Sequence, residues 1–400
     1  MNRPLKKSVF GGTLLITGCC IGAGMLGLPL VTLSSGFIFS IVPLVIGWLY
    51  MYLSGLMILE VYLGEKKNID LMGLLKRTLG TKAKAIGSLL FLFLFYSMLT
   101  AYLNASSVLM QDSIQSIFNI QISQSLSLIS NAIFFFLILF FDIRKIDFIN
   151  RFLVLVMLFF YVCLVSLGSS QIKTEHITFL GNSNVIIWSI PVFIVSFGFQ
   201  NLIPTISRYL GYHVVSIKSA LFRGTITALM IYLIWDFILL GMIAHPNQLL
   251  NQSSSTFLTT LFNYSTPKIT FLINSFSICA IITSFLSVSL SFVNFISDSS
   301  ENKKHRIFYI SCVILPPLLF SFLDPDIFLL ALHVAGGIGA VSLFGILPAM
   351  MLWKTRYTLN NEYEKIFPFG RTFLISYGLV SVGIVLIEIV NLIPFIKNKL

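Results

Sequence analysis

The stretch GGTLLITGCCIGAGMLGLPL, residues 11–30, decides how this chain is read. It is apolar enough to cross a bilayer, yet Gly18, Gly22, Gly24 and Gly27 interrupt it and Pro29 follows. Glycine weakens a helix, and proline removes a backbone donor. A second stretch, Ser196-Phe197-Gly198-Phe199-Gln200-Asn201-Leu202-Ile203-Pro204, has the same character: one glycine, two adjacent amide side chains and a proline inside an apolar run. Gly22 and Gly24 stand seven and five residues before Pro29, and Gly198 six before Pro204. Non-helical backbone inside a bilayer persists only where protein or a water-filled cavity satisfies it. Freed amides at such a break can hold a carboxylate, aided by a half-helix N-terminus, and freed carbonyls an ammonium or a cation. The competing reading of the first break is a helix-packing face, since Gly18 and Gly22 have GxxxG spacing.

The rest of the chain supports a membrane setting. Of its 400 residues 56% are hydrophobic and only 10% charged, and the mean hydropathy is +0.93. A soluble domain of this size carries far more charge. Apolar runs long enough to span, or nearly so, fall at 9–33, 37–63, 86–110, 126–141, 150–168, 185–207, 220–243, 269–297, 306–323, 327–353 and 372–396. The expected fold is therefore an all-α membrane protein of about eleven transmembrane helices, with helices 1 and 6 discontinuous. The run from Val9 to Leu33 is long for a signal peptide and is read as a retained first helix. The five cysteines (Cys19, Cys20, Cys163, Cys279, Cys312) all lie inside apolar runs without ligand spacing, so they are read as packing residues. No metal site or cofactor is expected.

The net charge of +11 does not indicate nucleic acid, because the basic residues cluster in alternate loops. With the N-terminus inside, 22 of the 26 Lys and Arg fall on the inner side, leaving Lys173, Lys268, Lys397 and Lys399 outside. This is the positive-inside pattern of an inner-membrane protein with a cytoplasmic N-terminus and a periplasmic C-terminus. Residues 65–84 place Leu71, Leu74, Leu75 and Leu79 on one face among six basic residues, which reads as an interfacial helix. The outer loop 244–268 holds a short helical pattern at 256–262, read as a lid or an ordinary connector. The first broken span runs outward and the sixth inward. Spans 1–5 (9–168) and 6–10 (185–353) thus form two halves of opposite topology, with 372–396 left over. Matching interrupted helices in two such halves point to a transporter site.

At these motifs, together with LEVYLG at 59–64 and SFGFQNLIPTISRYLG at 196–211, the chain resembles the hydroxy/aromatic amino acid permeases of bacteria, and their tyrosine-transporting branch in particular. Hydropathy extends the resemblance over nearly the full chain. It implies a LeuT-like five-plus-five inverted repeat and proton-coupled uptake of an aromatic amino acid, tyrosine first and tryptophan next, with no enzymatic activity. Under this reading Gly22, Ala23, Gly24 and Met25 receive the carboxylate. Ser196, Phe197, Gly198, Phe199 and Gln200 receive the ammonium and ring, with Tyr96, Tyr102 and Asn104 of the third span beside the ring. Such proteins often carry His where this chain has Gln200, and a neutral amide cannot cycle a proton.

Ionisable and polar groups inside spans are the remaining candidates. Asp236, in IYLIWDFILLG, is the most isolated deep carboxylate, read as a proton carrier or as a helix-bundle hydrogen bond. Ser284 and Ser287 share a helix face and could supply oxygens to a sodium ion, the alternative being small-residue packing. His333 is a proton-sensor candidate or a packed imidazole. Glu60, close to Lys66 and Lys67, reads as a structural or gating contact, and Glu388 lies outside the repeats. A permease for another neutral amino acid, such as serine or threonine and sodium-coupled, is the runner-up. A channel or a membrane enzyme is the competitor from another class, and no nucleophile–base cluster supports an enzyme.

Overall fold

A computed structural model describes residues 8–22, 24–33, 35–65, 69–141, 143–179, 181, 186–242, 266–297, 303–324, 327–359 and 365–397. The described residues are helical, with no strand among them. The first span is two helices, α1 (Val9–Cys20) and α2 (Gly24–Thr32), bent by 57°. There follow α3 (Phe37–Glu65), α4 (Leu71–Leu79), α5 (Thr81–Phe118), α6 (Gln124–Leu139), α7 (Ile143–Gly168) and the short α8 (Thr174–Ile177). The sixth span is α9 (Ile186–Ser196) and α10 (Ile203–Tyr209). Then come α11 (Val214–Met242), α12 (Pro267–Ser297), α13 (Lys303–Leu323), α14 (Ile327–Val334), α15 (Leu347–Trp353) and α16 (Arg371–Lys397). Between α14 and α15 the tenth span winds through π-helical turns at Ala335–Ala340 and Ser342–Ile346, and a third follows at Lys354–Thr358.

Nine helices among the described residues are long and apolar enough to span, and the bent first pair makes ten. The fourth run is the exception. It forms α6, of 16 residues, which at about 1.5 Å per residue falls short of a hydrocarbon core of roughly 30 Å. Its start is fixed by Ser123, whose hydroxyl accepts from Leu126 N at 3.3 Å. Residues 256–262, the expected lid, lie outside the described residues.

The predicted helix in 65–84 is α4, capped by Asp70, which accepts from Gly73 N at 2.8 Å. Leu71, Leu74 and Leu75 are buried, and Leu75 packs where a Cβ on Gly87 of α5 would stand. The leucine face thus lies on protein rather than on lipid, and Lys76 and Arg77 are exposed.

At this end of the bundle Glu60 organises three elements. Its carboxylate, 1% exposed, accepts from Arg356 Nε at 2.5 Å and Nη2 at 2.6 Å. It also accepts from the backbone N–H groups of Ile366 and Phe367, both at 2.8 Å. Arg356 in turn donates to the carbonyls of Phe367 and Phe369 at 2.7 and 2.9 Å. A buried pair with its lone pairs and protons satisfied holds together where half of it does not. Glu60→Ala is expected to cost about 3–5 kcal/mol, because it leaves the Arg356 charge buried. The double variant with Arg356→Met should recover part of that loss in thermal unfolding in detergent.

Candidate functional site: two breaks held by one continuous helix

α1 ends because Ile21 turns extended (φ −70°, ψ 108°) after its N–H bonds Thr17 O at 2.9 Å. The chain restarts when Met25 N bonds Gly22 O at 3.0 Å. The glycines at the break are sites of close approach. A Cβ on Gly24 would stand 2.9 Å from Ser196 Oγ and 3.2 Å from Ser196 Cα, and one on Gly22 would run into Ser284 Oγ. The two breaks therefore touch, and α12 closes on the first of them. Ala23 lies outside the described residues.

α9 ends at Ser196, whose hydroxyl turns back to Val192 O at 2.7 Å. Phe197 N and Gly198 N bond Ile194 O and Val195 O, each at 3.2 Å. A 3-10 turn at Gln200–Leu202 leads into α10, where Pro204 stands in the first turn and forfeits no helical bond. The Ser196 carbonyl is left without a helical partner.

α11 crosses both breaks unbroken. Thr17 donates to Gly224 O at 3.0 Å. Further along, the Tyr232 hydroxyl reaches the carbonyl of Cys20, the last residue of α1, and that of Ser196, the last residue of α9, the latter at 2.7 Å. Trp235 Nε1 donates to Met25 O of α2 at 3.1 Å. Asp236, 2% exposed, lies against the Thr32 hydroxyl, and its Oδ1 has no hydrogen-bond partner among the described residues. One helix thus splints α1, α2 and α9 through Gly224, Tyr232, Trp235 and Asp236. Phe197 packs against Tyr232, ring centroids 5.1 Å apart. Tyr102 of α5 is within electrostatic reach of both Cys19 and Tyr232. Cys19 is exposed and donates to Gly198 O at 3.4 Å. A Cβ on Gly18 would meet nothing within 4 Å.

Gly22, Gly24, Met25, Ser196, Phe197, Gly198 and Ser284 meet here. Other candidates face elsewhere. Phe199 fills the space that a Cβ on Gly55 of α3 would need, and Gln200 Nε2 donates to Met51 O of α3 at 3.1 Å. Tyr96 is directed at α13, bonding Cys312 O at 2.9 Å. Asn104 is buried within the bundle on α5. Ser287 is exposed, in line with the exposed Ser291 and Asn294 on one face of α12 that starts at Ser284. His333 pairs with Glu388 on α16, Nδ1 to Oε1 3.7 Å. The sequence reading placed Tyr102 beside the second break, took Cys19 and Cys20 as packing residues, and passed over Tyr232 and Trp235. The spacing of Tyr232, Trp235 and Asp236, at i, i+3 and i+4 on one helical face, was the available signal.

The tryptophan/tyrosine permease family matches residues 5–390 of this chain. The chain belongs to that family. Haemophilus influenzae tyrosine-specific transport system 1 is 28% identical to the permease over 93% of this chain and 94% of its own. The tryptophan-specific transport protein of the same organism is 27% identical over 100% and 98%. Glutamine transporter 2 of Aliivibrio fischeri is 24% identical over 96% and 97%. Among solved structures the inward-facing conformation of Mhp1 superposes with a TM-score of 0.58, at 12% identity, covering 88% of the permease and 77% of that chain. The permease is therefore a multi-pass membrane transport protein, not an enzyme, and shares the LeuT-like fold of Mhp1.

Contact between the breaks gives a direct test. Gly24→Val should lower uptake at least tenfold by driving a side chain into Ser196. Combining it with Ser196→Gly should restore part of the loss, measured as initial rates in cells normalised to membrane expression.

Proposed function

We propose that the permease imports an aromatic amino acid, tyrosine in preference to tryptophan, by proton symport with alternating access. The observation that carries this reading is the meeting of two carbonyls on one hydroxyl. Cys20 O and Ser196 O both point at Tyr232, and a phenol has one proton to donate. An ammonium has three. A substrate ammonium entering here satisfies both carbonyls at once and frees the phenol. Its carboxylate then reaches the amides around Gly22–Gly24 at the start of α2, where the half-helix favours negative charge. Phe197 and Tyr102 supply the aromatic wall, in place of Phe199 and Tyr96, which face α3 and α13.

Asp236 carries the proton. It is the carboxylate of the splinting helix, next to Trp235, and one of its oxygens lacks a partner among the described residues. A buried carboxylate is costly when charged and comfortable when protonated, so its proton affinity changes as α2 and Thr32 move. The broken helices and their partners rock against the rest of the bundle, within inverted repeats 9–168 and 185–353 and with 372–396 as an added helix. The exposed polar face Ser287, Ser291 and Asn294 leads from the first break toward the end of α12. In the orientation given by the basic residues that end faces the cytoplasm of the inner membrane, which makes it the release route. Ser284 against Gly22 supports a sodium-coupled variant of the same scheme. The likeness to a glutamine transporter favours a second reading, uptake of another neutral amino acid.

In proteoliposomes an inward proton gradient should drive accumulation of labelled tyrosine, competed by tryptophan more than by glutamine or serine. A sodium gradient alone should not. Asp236→Asn should lose gradient-driven accumulation while retaining tyrosine counterflow. Accumulation of no aromatic amino acid under either gradient would overturn the reading.

A further inference from the structure

α16 lies outside the two halves and presents a largely apolar, exposed surface: Leu379, Val380, Leu386 and Val390 are each more than half exposed. Its buried side carries Leu374, Tyr377, Ser381 and a carboxylate. Glu388 is 4% exposed and faces inward, its Oε1 3.7 Å from His333 Nδ1. A carboxylate inside a membrane helix is costly and needs a reason to be there.

The surroundings of the pair are unusual. His333 is the next-to-last residue of α14, directly before the π-helical turn Ala335–Ala340. The stem of Glu388 rests on that turn: a Cβ on Gly337 would be 2.6 Å from Glu388 Cγ. The neighbouring Gly336 is pressed against the carbonyl of Pro191 so closely that no Cβ fits. Pro191 belongs to α9, the helix that ends at Ser196 and delivers its carbonyl to Tyr232. A line of direct contacts thus runs from Glu388 through Gly337 and Gly336 to the second break. π-helical turns are rare within α-helices and recur at functional sites.

The other titratable groups near the pair are engaged or distant. α2 and α9 carry none. On α5, Tyr96 bonds Cys312 O, Tyr102 faces Cys19, Lys82 and Lys84 sit at one end and Asp112 toward the other. On α16, Tyr377 bonds Tyr50 O and Arg371 lies over the Trp353 ring at 4.8 Å. Asp324 precedes α14. The imidazole side chain is 15% exposed and the carboxylate 5%.

We propose that His333 and Glu388 form a second proton-binding site, apart from the substrate, that sets the rate of the transport cycle with pH by changing how the π-helical turn holds α9. With a proton on the imidazole the two attract as an ion pair and draw α16 onto the turn. Without it the carboxylate is uncompensated and the contact loosens. The proposal rests on the transport reading above, but its site is distinct from Asp236 and from the paired breaks.

The test compares wild type with Glu388→Gln and His333→Gln in proteoliposomes, measuring initial tyrosine uptake at a series of pH values. Each variant should flatten the pH dependence of the maximal rate by fivefold or more, with KM within twofold of wild type. A purely structural role predicts a lower melting temperature with the wild-type pH profile, and that result overturns the proposal. Infrared difference spectra of wild type between acid and neutral pH provide a readout without uptake. They should contain a carboxylate band that is absent in Glu388→Gln and altered in His333→Gln. An unchanged band in both also overturns it. Absence of any wild-type uptake would sink the transport reading instead, leaving the infrared comparison to decide the pair.

Discussion

A bilayer does not tolerate an unsatisfied backbone carbonyl, and this fold leaves two of them at the same place. The Cys20 and Ser196 carbonyls, one at the end of each broken helix, share the hydroxyl of Tyr232. The other arrangements of the core follow from making that junction possible. α11 must run straight past both breaks to present Tyr232, Trp235 and Asp236 in succession. Gly24 must lack a side chain so that Ser196 can approach, and Gly22 must lack one for Ser284. The broken helices are stable because a continuous helix supplies the donors they have lost.

The same junction suits transport because it is under-supplied. One phenolic proton serves two carbonyls, whereas a typical buried carbonyl has a donor to itself. In the proposed reading a substrate ammonium, with three donors, supplies what the phenol lacks. Each half of the first span is also tied separately to α11, by Thr17 on α1 and by Met25 and Thr32 on α2. A bend of 57° lies between those ties. Motion of α1 relative to α2 therefore loads the Thr17–Gly224 and Tyr232–Cys20 bonds together.

Much of this was legible in the sequence and some of it was not, for identifiable reasons. The spans, the two breaks and their pairing follow from hydropathy and from glycine and proline placement, since the bilayer enforces length and backbone satisfaction so strictly. Span four is short already as the run 126–141 and stays at 16 residues as α6, with the Ser123 cap only moving its start to Gln124. The second break was located correctly, but the directions of Phe199 and Gln200 were not readable. They sit on a non-helical turn, where side-chain direction depends on the tertiary neighbours Gly55 and Met51 rather than on periodicity. Ser284 and Ser287 share a face, yet only Ser284 stands level with Gly22, because three residues of helix shift a side chain by about 4.5 Å along the axis. Cys19 and Cys20 passed as packing residues because the Cys20 role is carried by its backbone, which no side-chain pattern reports.

The central claim is that an aromatic amino acid occupies the space between the two breaks. Cys19 offers the most direct measurement, since its exposed thiol lies beside Gly198 O. In a protein with Cys20, Cys163, Cys279 and Cys312 replaced by alanine and uptake retained, the rate of Cys19 alkylation by a small maleimide reports on that space. Saturating tyrosine should slow the alkylation at least tenfold, with tryptophan close behind and lysine without effect. An alkylation rate unchanged by tyrosine in a variant that still transports it would contradict the account.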